Sequence, residues 1–157
     1  MSAVEIGALL KEKGLTLGVV ESATGGLISN LITNIPGSSN YYKGSITAYS
    51  NEVKIGLVGV AAATIKEYGA VSHQVVEEMA AGGRRVLAVD ICIADTGIAG
   101  PGGVTPDKPM GLFYLGLADK EGAISRRYIF KGNRRENKAE AAAAALAWLK
   151  EHLESMD

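Results

Sequence analysis

Apolar residues along the chain form two kinds of run. Leu15 to Val20 and Val89 to Asp95 are short, largely apolar and partly β-branched, which predicts strands covered on both faces. Between them the apolar positions recur at helical spacing. Leu27, Ile28, Leu31, Ile32 and Ile35 predict a helix stopped by Pro36-Gly37. Val75, Val76, Met79 and Leu87 put an apolar stripe on a helix that begins near Ser72. A short opening helix through Val4, Leu9 and Leu10 is expected to end at Gly14. Ser45 to Ser50 reads as another strand, followed by a helical piece carrying Glu52, Lys54 and Leu57 with Asn51 as its cap. Thr64 to Tyr68 is a further helical turn closed by Gly69. Gly111 to Ala118 and Ile124 to Phe130 flank Asp119-Lys120-Glu121-Gly122, a hairpin signal. Asn133, with Glu136 three residues on, opens a last helix that runs through Ala141 to Ala145 to about Leu153. The alanines let that helix pack closely.

Strands alternating with helices and followed by one hairpin define the expected fold class: α/β, a three-layer α/β/α sandwich with a mixed, mostly parallel sheet and one C-terminal hairpin. The length of 157 residues suits a single domain over 1–157.

Composition changes this picture in a few places. Twenty glycines are about twice the usual share of ~7%, and they gather in short loops, which suggests close backbone approach to a ligand. A formal net charge of -1 gives no field for gathering a polyanion. Arg126-Arg127 and Arg134-Arg135 are dense basic pairs, read as solvated surface or a small-phosphate contact, so no nucleic-acid partner is expected. The single Cys92 lies in an apolar run, as a buried and inert thiol does, and fits a reducing compartment. Neither a signal peptide nor an apolar run of the ~18 residues that span a bilayer is seen, so a cytoplasmic protein with no membrane partner is expected.

Three loops carry candidate chemistry. Glu21-Ser22-Ala23-Thr24-Gly25-Gly26 joins a strand to a helix, where the N–H groups of Thr24, Gly25 and Gly26 could cradle an anion or an oxyanion beside the Ser22 hydroxyl. Ser22 or Thr24 could equally be a helix cap. Tyr49 and Lys54, near the end of the next strand, could meet that loop at one sheet edge. Neither His73, at a helix start, nor His152, in the last exposed turn, looks like a base for the serine. A lysine desolvated beside a serine can take its proton, although a solvated lysine is the commoner fate. Thr96, Gly97, Gly100 and Gly102 belong to a third, Gly-rich loop with neither Walker nor Rossmann order, which would let backbone lie flat against a ligand. Asp95 and Asp107 lack partners at metal-ligand spacing, so neither a metal nor a cofactor is expected.

Taken together, E-S-x-T-G-G, P-G-S-S, Y-S-N-E-x-K, G-A-V-S, T-G-I-A-G-P-G-G and the K-P-x-G of Lys108 to Gly111 resemble the CinA C-terminal domain family, from about Leu15 to Leu149. Stand-alone members act as nicotinamide-nucleotide amidohydrolases. The resemblance implies deamidation of nicotinamide mononucleotide, with Ser22 as nucleophile, Lys54 as base and Tyr49 assisting proton transfer. It also implies a small-molecule nucleotide as partner, a substrate site lined by Thr96 and its glycines, and a homo-oligomer. Arg134 is the candidate for the nucleotide phosphate. Two positions depart from the family pattern. Ala23 stands where many relatives carry cysteine, and Asp95 stands where relatives often carry an apolar residue or a small hydroxyl, which would put a carboxylate near the substrate. A catalytically silent nucleotide-binding module and a competence or damage-response accessory are the alternatives.

Overall fold

A computed structural model describes residues 2–156. The elements are α1 (Ser2–Lys13), β1 (Leu17–Glu21), α2 (Leu27–Thr33), β2 (Tyr42–Thr47), α3 (Asn51–Gly56), α4 (Ala62–Tyr68), α5 (His73–Val86), β3 (Ile91–Gly97), β4 (Leu112–Asp119), β5 (Gly122–Ile129) and α6 (Arg134–Ser155). The strands lie in the order β2-β1-β3-β4-β5. β1 pairs in parallel with β2 and β3, whereas β3 with β4 and β4 with β5 are antiparallel, so β4 alone runs against the others.

The apolar runs of β1 and β3 are buried along their length, while the edge strand β2 alternates between half-buried and exposed positions. On one face, Leu17, Val19, Ile91, Ile93, Leu115 and Leu117 pack with side chains of α1, α2 and α6. On the other, Val20, Cys92 and Ala94 pack with Val75, Val76 and Met79 of α5. This is the three-layer α/β/α arrangement. Residues without side chains set how close its layers come. A Cβ on Gly83 of α5 would collide with Val20 and Cys92 of the sheet, and one on Gly116 of β4 would lie 2.7 Å from the Val76 carbonyl oxygen. A Cβ on Gly82 would run into the Val58 carbonyl in the link between α3 and α4. On the opposite face, Ala141, Ala142 and Ala145 are buried where α6 meets the core.

Several element ends differ from the expectations above. β2 spans Tyr42–Thr47 because its parallel register with β1 ends at Glu21↔Thr47. The residues that follow leave the sheet, and Ser50 caps α3 by accepting the Val53 N–H, with Asn51 already inside the helix. β3 starts at Ile91 and runs on to Gly97. α6 opens with the expected capping box of Asn133 and Glu136. His152, expected in an exposed turn, is half-buried and engaged: its Nε2 lies 2.9 Å from Asp119 Oδ2. Cys92 is buried, and desolvation pushes its thiol up to about 12. No helix among the described residues is long and apolar enough to cross a membrane.

Candidate active site

β1 and β3 are neighbours, yet the chain leaves their carboxyl ends in opposite directions, through α2 back to β2 and through the Gly-rich loop to β4. Such divergence opens a crevice at the strand ends. Ser22 directly follows β1, Thr96 and Gly97 end β3, and Lys54 comes from α3 just beyond β2. These residues, with Ala23, Tyr49 and Arg134 among others, line one cleft of about 460 Å³.

Lys54 is the unusual member. It is 2% exposed, and its Nζ lies 3.0 Å from Ser22 Oγ, 2.9 Å from the Ala48 carbonyl oxygen and 3.2 Å from that of Tyr49. Desolvation lowers its pKa, opposed by the attraction of Asp95. The three partners accommodate both forms of the amine. An ammonium donates to all three oxygens, whereas a neutral amine gives its two N–H bonds to the carbonyls, which can only accept, and turns its lone pair to a hydroxyl able to donate.

Tyr49 is placed differently from its expected role. Its backbone carbonyl reaches Lys54, whereas its exposed phenol oxygen accepts from Arg134 Nη2 at 3.2 Å. Arg134 also donates through Nη1 to the Gly100 carbonyl oxygen at 2.9 Å, so α6 presents a guanidinium at the cleft. Gly100 itself does not line the cleft, but Gly97 and Gly102 do. Thr96 lines it with its hydroxyl tied to the Ala70 carbonyl at 2.8 Å.

The expected anion cradle at Thr24 to Gly26 is already filled. Thr24 N–H donates to Asp95, Gly25 N–H to the Ser22 carbonyl, and Gly26 N–H to Glu21. Glu21 turns its carboxylate under α2 and also takes the N–H groups of Ile28 and Ser29. The negative charge favoured at that helix end is therefore the chain's own, and these donors cannot serve an oxyanion. Thr24, Gly25 and Gly26 line a separate groove with Arg135 and Lys138. Asp95 is likewise not a charge in the cleft: it is fully buried beneath the Ser22 turn. Among the described residues the Ala23 amide has no acceptor, and Ala23 lines the cleft.

Lining residues beyond those expected include Asn51, Ala70, Val71 and Lys108. Ala70 and Val71 lie inside the G-A-V-S segment and Lys108 begins K-P-x-G, so the motifs marked their neighbourhood without marking their contact with the site. No group of three or more His, Cys, Asp or Glu able to hold a metal occurs among the described residues.

Fold and site thus define an α/β protein of three layers, with a buried serine-lysine pair at the carboxyl ends of its parallel strands. The chain belongs to the CinA C-terminal domain family, whose pattern matches residues 1–153. It is 45% identical over 145 residues to a CinA-like protein of Thermotoga neapolitana, covering 92% of this chain and 35% of that protein. A CinA-like protein of Geobacter sulfurreducens is 46% identical over 148 residues, covering 94% and 36%. The chain thus spans about a third of the length of these relatives. Among solved structures, competence damage-inducible protein A of Klebsiella pneumoniae superposes with a TM-score of 0.96 at 29% identity, covering 99% of this chain and 97% of that one. The competence/damage inducible protein CihA of Agrobacterium tumefaciens gives 0.94 at 33% identity, covering 98% and 94%.

Proposed function

We propose that this protein is an amidohydrolase that deamidates nicotinamide mononucleotide to nicotinate mononucleotide by a Ser22–Lys54 covalent mechanism, in pyridine nucleotide recycling. The observation that carries this reading is the buried Lys54 amine, 3.0 Å from the Ser22 hydroxyl and bonded to the Ala48 and Tyr49 carbonyls. Neutral Lys54 takes the Ser22 proton as Oγ forms a bond to the carboxamide carbon, and the carbonyl π pair moves to oxygen. The Ala23 N–H, directly after the nucleophile and free of an acceptor, is the donor for that oxyanion. Collapse breaks the C–N bond, and the amine leaves as ammonia with the proton held by Lys54. Water then adds to the acyl ester, gives its proton to Lys54, and releases the acid with Ser22 restored.

Arg134 meets the phosphate of the nucleotide, since it is a guanidinium at the cleft already oriented by Gly100. Proton transfer runs through Lys54 directly, because the phenol of Tyr49 is engaged with Arg134. The assembly is a homo-oligomer in this reading. Ammonia release from nicotinamide mononucleotide by the purified chain tests the reaction. Turnover to equal amounts of ammonia and nicotinate mononucleotide is expected; tight binding without turnover would make the protein a binding module.

A further inference from the structure

Beneath the Ser22 turn, the Thr24 hydroxyl lies between two buried carboxyl groups. Thr24 Oγ1 is 2.6 Å from Glu21 Oε1 and 2.5 Å from Asp95 Oδ1. Each contact needs a proton between its oxygens, and one hydroxyl supplies one. The second must come from a carboxyl. Glu21 has no room for it, because Gly26, Ile28 and Ser29 N–H and the Ser29 hydroxyl already donate to its two oxygens. Asp95 has room: besides Thr24 Oγ1 it accepts Ser22 N–H at 2.9 Å and Thr24 N–H at 3.2 Å. The order that satisfies every atom is Asp95 Oδ1–H to Thr24 Oγ1, and Thr24 Oγ1–H to Glu21 Oε1.

All three side chains are shut off from water, with Glu21 and Asp95 at 0% exposure and Thr24 at 1%. Burial, joined by the Glu21 charge, pushes the Asp95 carboxyl up to about 6 against the pull of the Thr24 and Ser22 donors. Turning the Thr24 bond around, so that Asp95 donates it, takes the carboxyl further up. The groups facing Asp95 are Glu21 on β1, Lys54 on α3, where an Asp95 anion would favour the ammonium form, and the apolar Leu115 opposite on β4.

We propose that Asp95 is a positioning residue that keeps Lys54 uncharged. The Glu21-Thr24-Asp95 chain retains on Asp95 the one proton that Asp95 and Lys54 share across the neutral range, while the same carboxyl holds the Ser22 turn through two backbone amides. The catalytic consequence rests on the amidohydrolase reading; the placement of the proton does not. Only a proton changes place between the two groups, so Asp95 and Lys54 titrate as a pair.

The test is a carbon-13 NMR titration of the full chain without substrate. It follows the Asp95 carboxyl carbon, assigned by its loss in Asp95→Asn, and Lys54 Cε, assigned by its loss in Lys54→Met. At pH 7 the expected wild-type state is a protonated Asp95 beside a neutral Lys54 amine. Thr24→Val removes the bridging hydroxyl and moves the proton, giving a carboxylate and an ammonium. Adding Asp95→Asn to Thr24→Val returns Lys54 to the neutral form, and Thr24→Ser, which keeps the hydroxyl, retains the wild-type titration. An ionised Asp95 beside a charged Lys54 in the wild type at pH 7 overturns the proposal, whether or not any variant folds. A chain that releases no ammonia but titrates as described overturns the function and leaves the proton assignment standing. In the activity assay, Thr24→Val raises the midpoint of the acid limb of kcat/KM by about one pH unit or more, and the double variant brings it back. An equal loss at every pH with no shift is the signature of a merely structural hydroxyl and also overturns the proposal.

Discussion

At the scale of single residues, the site depends on a lysine whose surroundings favour its uncharged form. Desolvation lowers the pKa of Lys54, opposed by the attraction of Asp95. In the proposed mechanism Lys54 works only when deprotonated, so kcat/KM should rise with pH through its titration and level off below the ordinary lysine value of about 10.4. A pH-rate profile of the wild type measures that limb. Asp95 is shifted the opposite way, up to about 6 by burial. The folded state then holds a proton that the unfolded chain releases near pH 4, so the stabilisation is complete below that value and is lost as pH rises through the folded titration, which the reversed Thr24 bond carries above about 6. Urea unfolding of wild type and Asp95→Asn should show the wild type losing about 3 kcal/mol or more relative to the variant between about pH 4 and the end of that titration. Of these two residues the sequence exposed one. Lys54 was legible because a motif carried it. The burial of Asp95 was not, since its place beneath the Ser22 turn depends on the pairing of β1 with β3, residues some seventy positions apart in the chain.

At the scale of elements, close packing is set where side chains are missing. α5 lies against the sheet at Gly83 and Gly116, and against the link between α3 and α4 at Gly82, where a Cβ would run into the Val58 carbonyl. Gly82→Ala should therefore cost about 3 kcal/mol or more, although alanine is the better helix former by about 1 kcal/mol. A urea midpoint near that of the wild type would show that Val58 yields. Helix signals read from the sequence held where a local device fixes them, such as Gly14 after α1 or Asn133 with Glu136 before α6. Strand limits were less legible because register sets them: β2 ends at Thr47 where β1 ends at Glu21, and only then does Ser50 cap α3. The oxyanion cradle expected at Thr24 to Gly26 failed for a related reason. Which anion fills a helix end depends on the direction of one side chain, and Glu21 points inward.

At the scale of the whole molecule, the reversal of chain direction around β1 and β3 gathers distant loops at one crevice, and α6 closes it with Arg134. The alternation of apolar strand runs with helical stripes made the layered α/β class readable in advance, while pocket neighbours such as Lys108 and Asn51 emerged only once the loops were assembled. Arg134→Ala should raise KM for the mononucleotide about tenfold or more and leave KM for the unphosphorylated riboside nearly unchanged, as steady-state kinetics on both would reveal. The most direct measurement compares ammonia release from nicotinamide mononucleotide by wild type, Ser22→Ala and Lys54→Met under identical conditions. Loss of at least about a thousandfold in each variant is expected if the hydroxyl attacks and the amine takes its proton. Release by Ser22→Ala at the wild-type rate would contradict the Ser22–Lys54 mechanism.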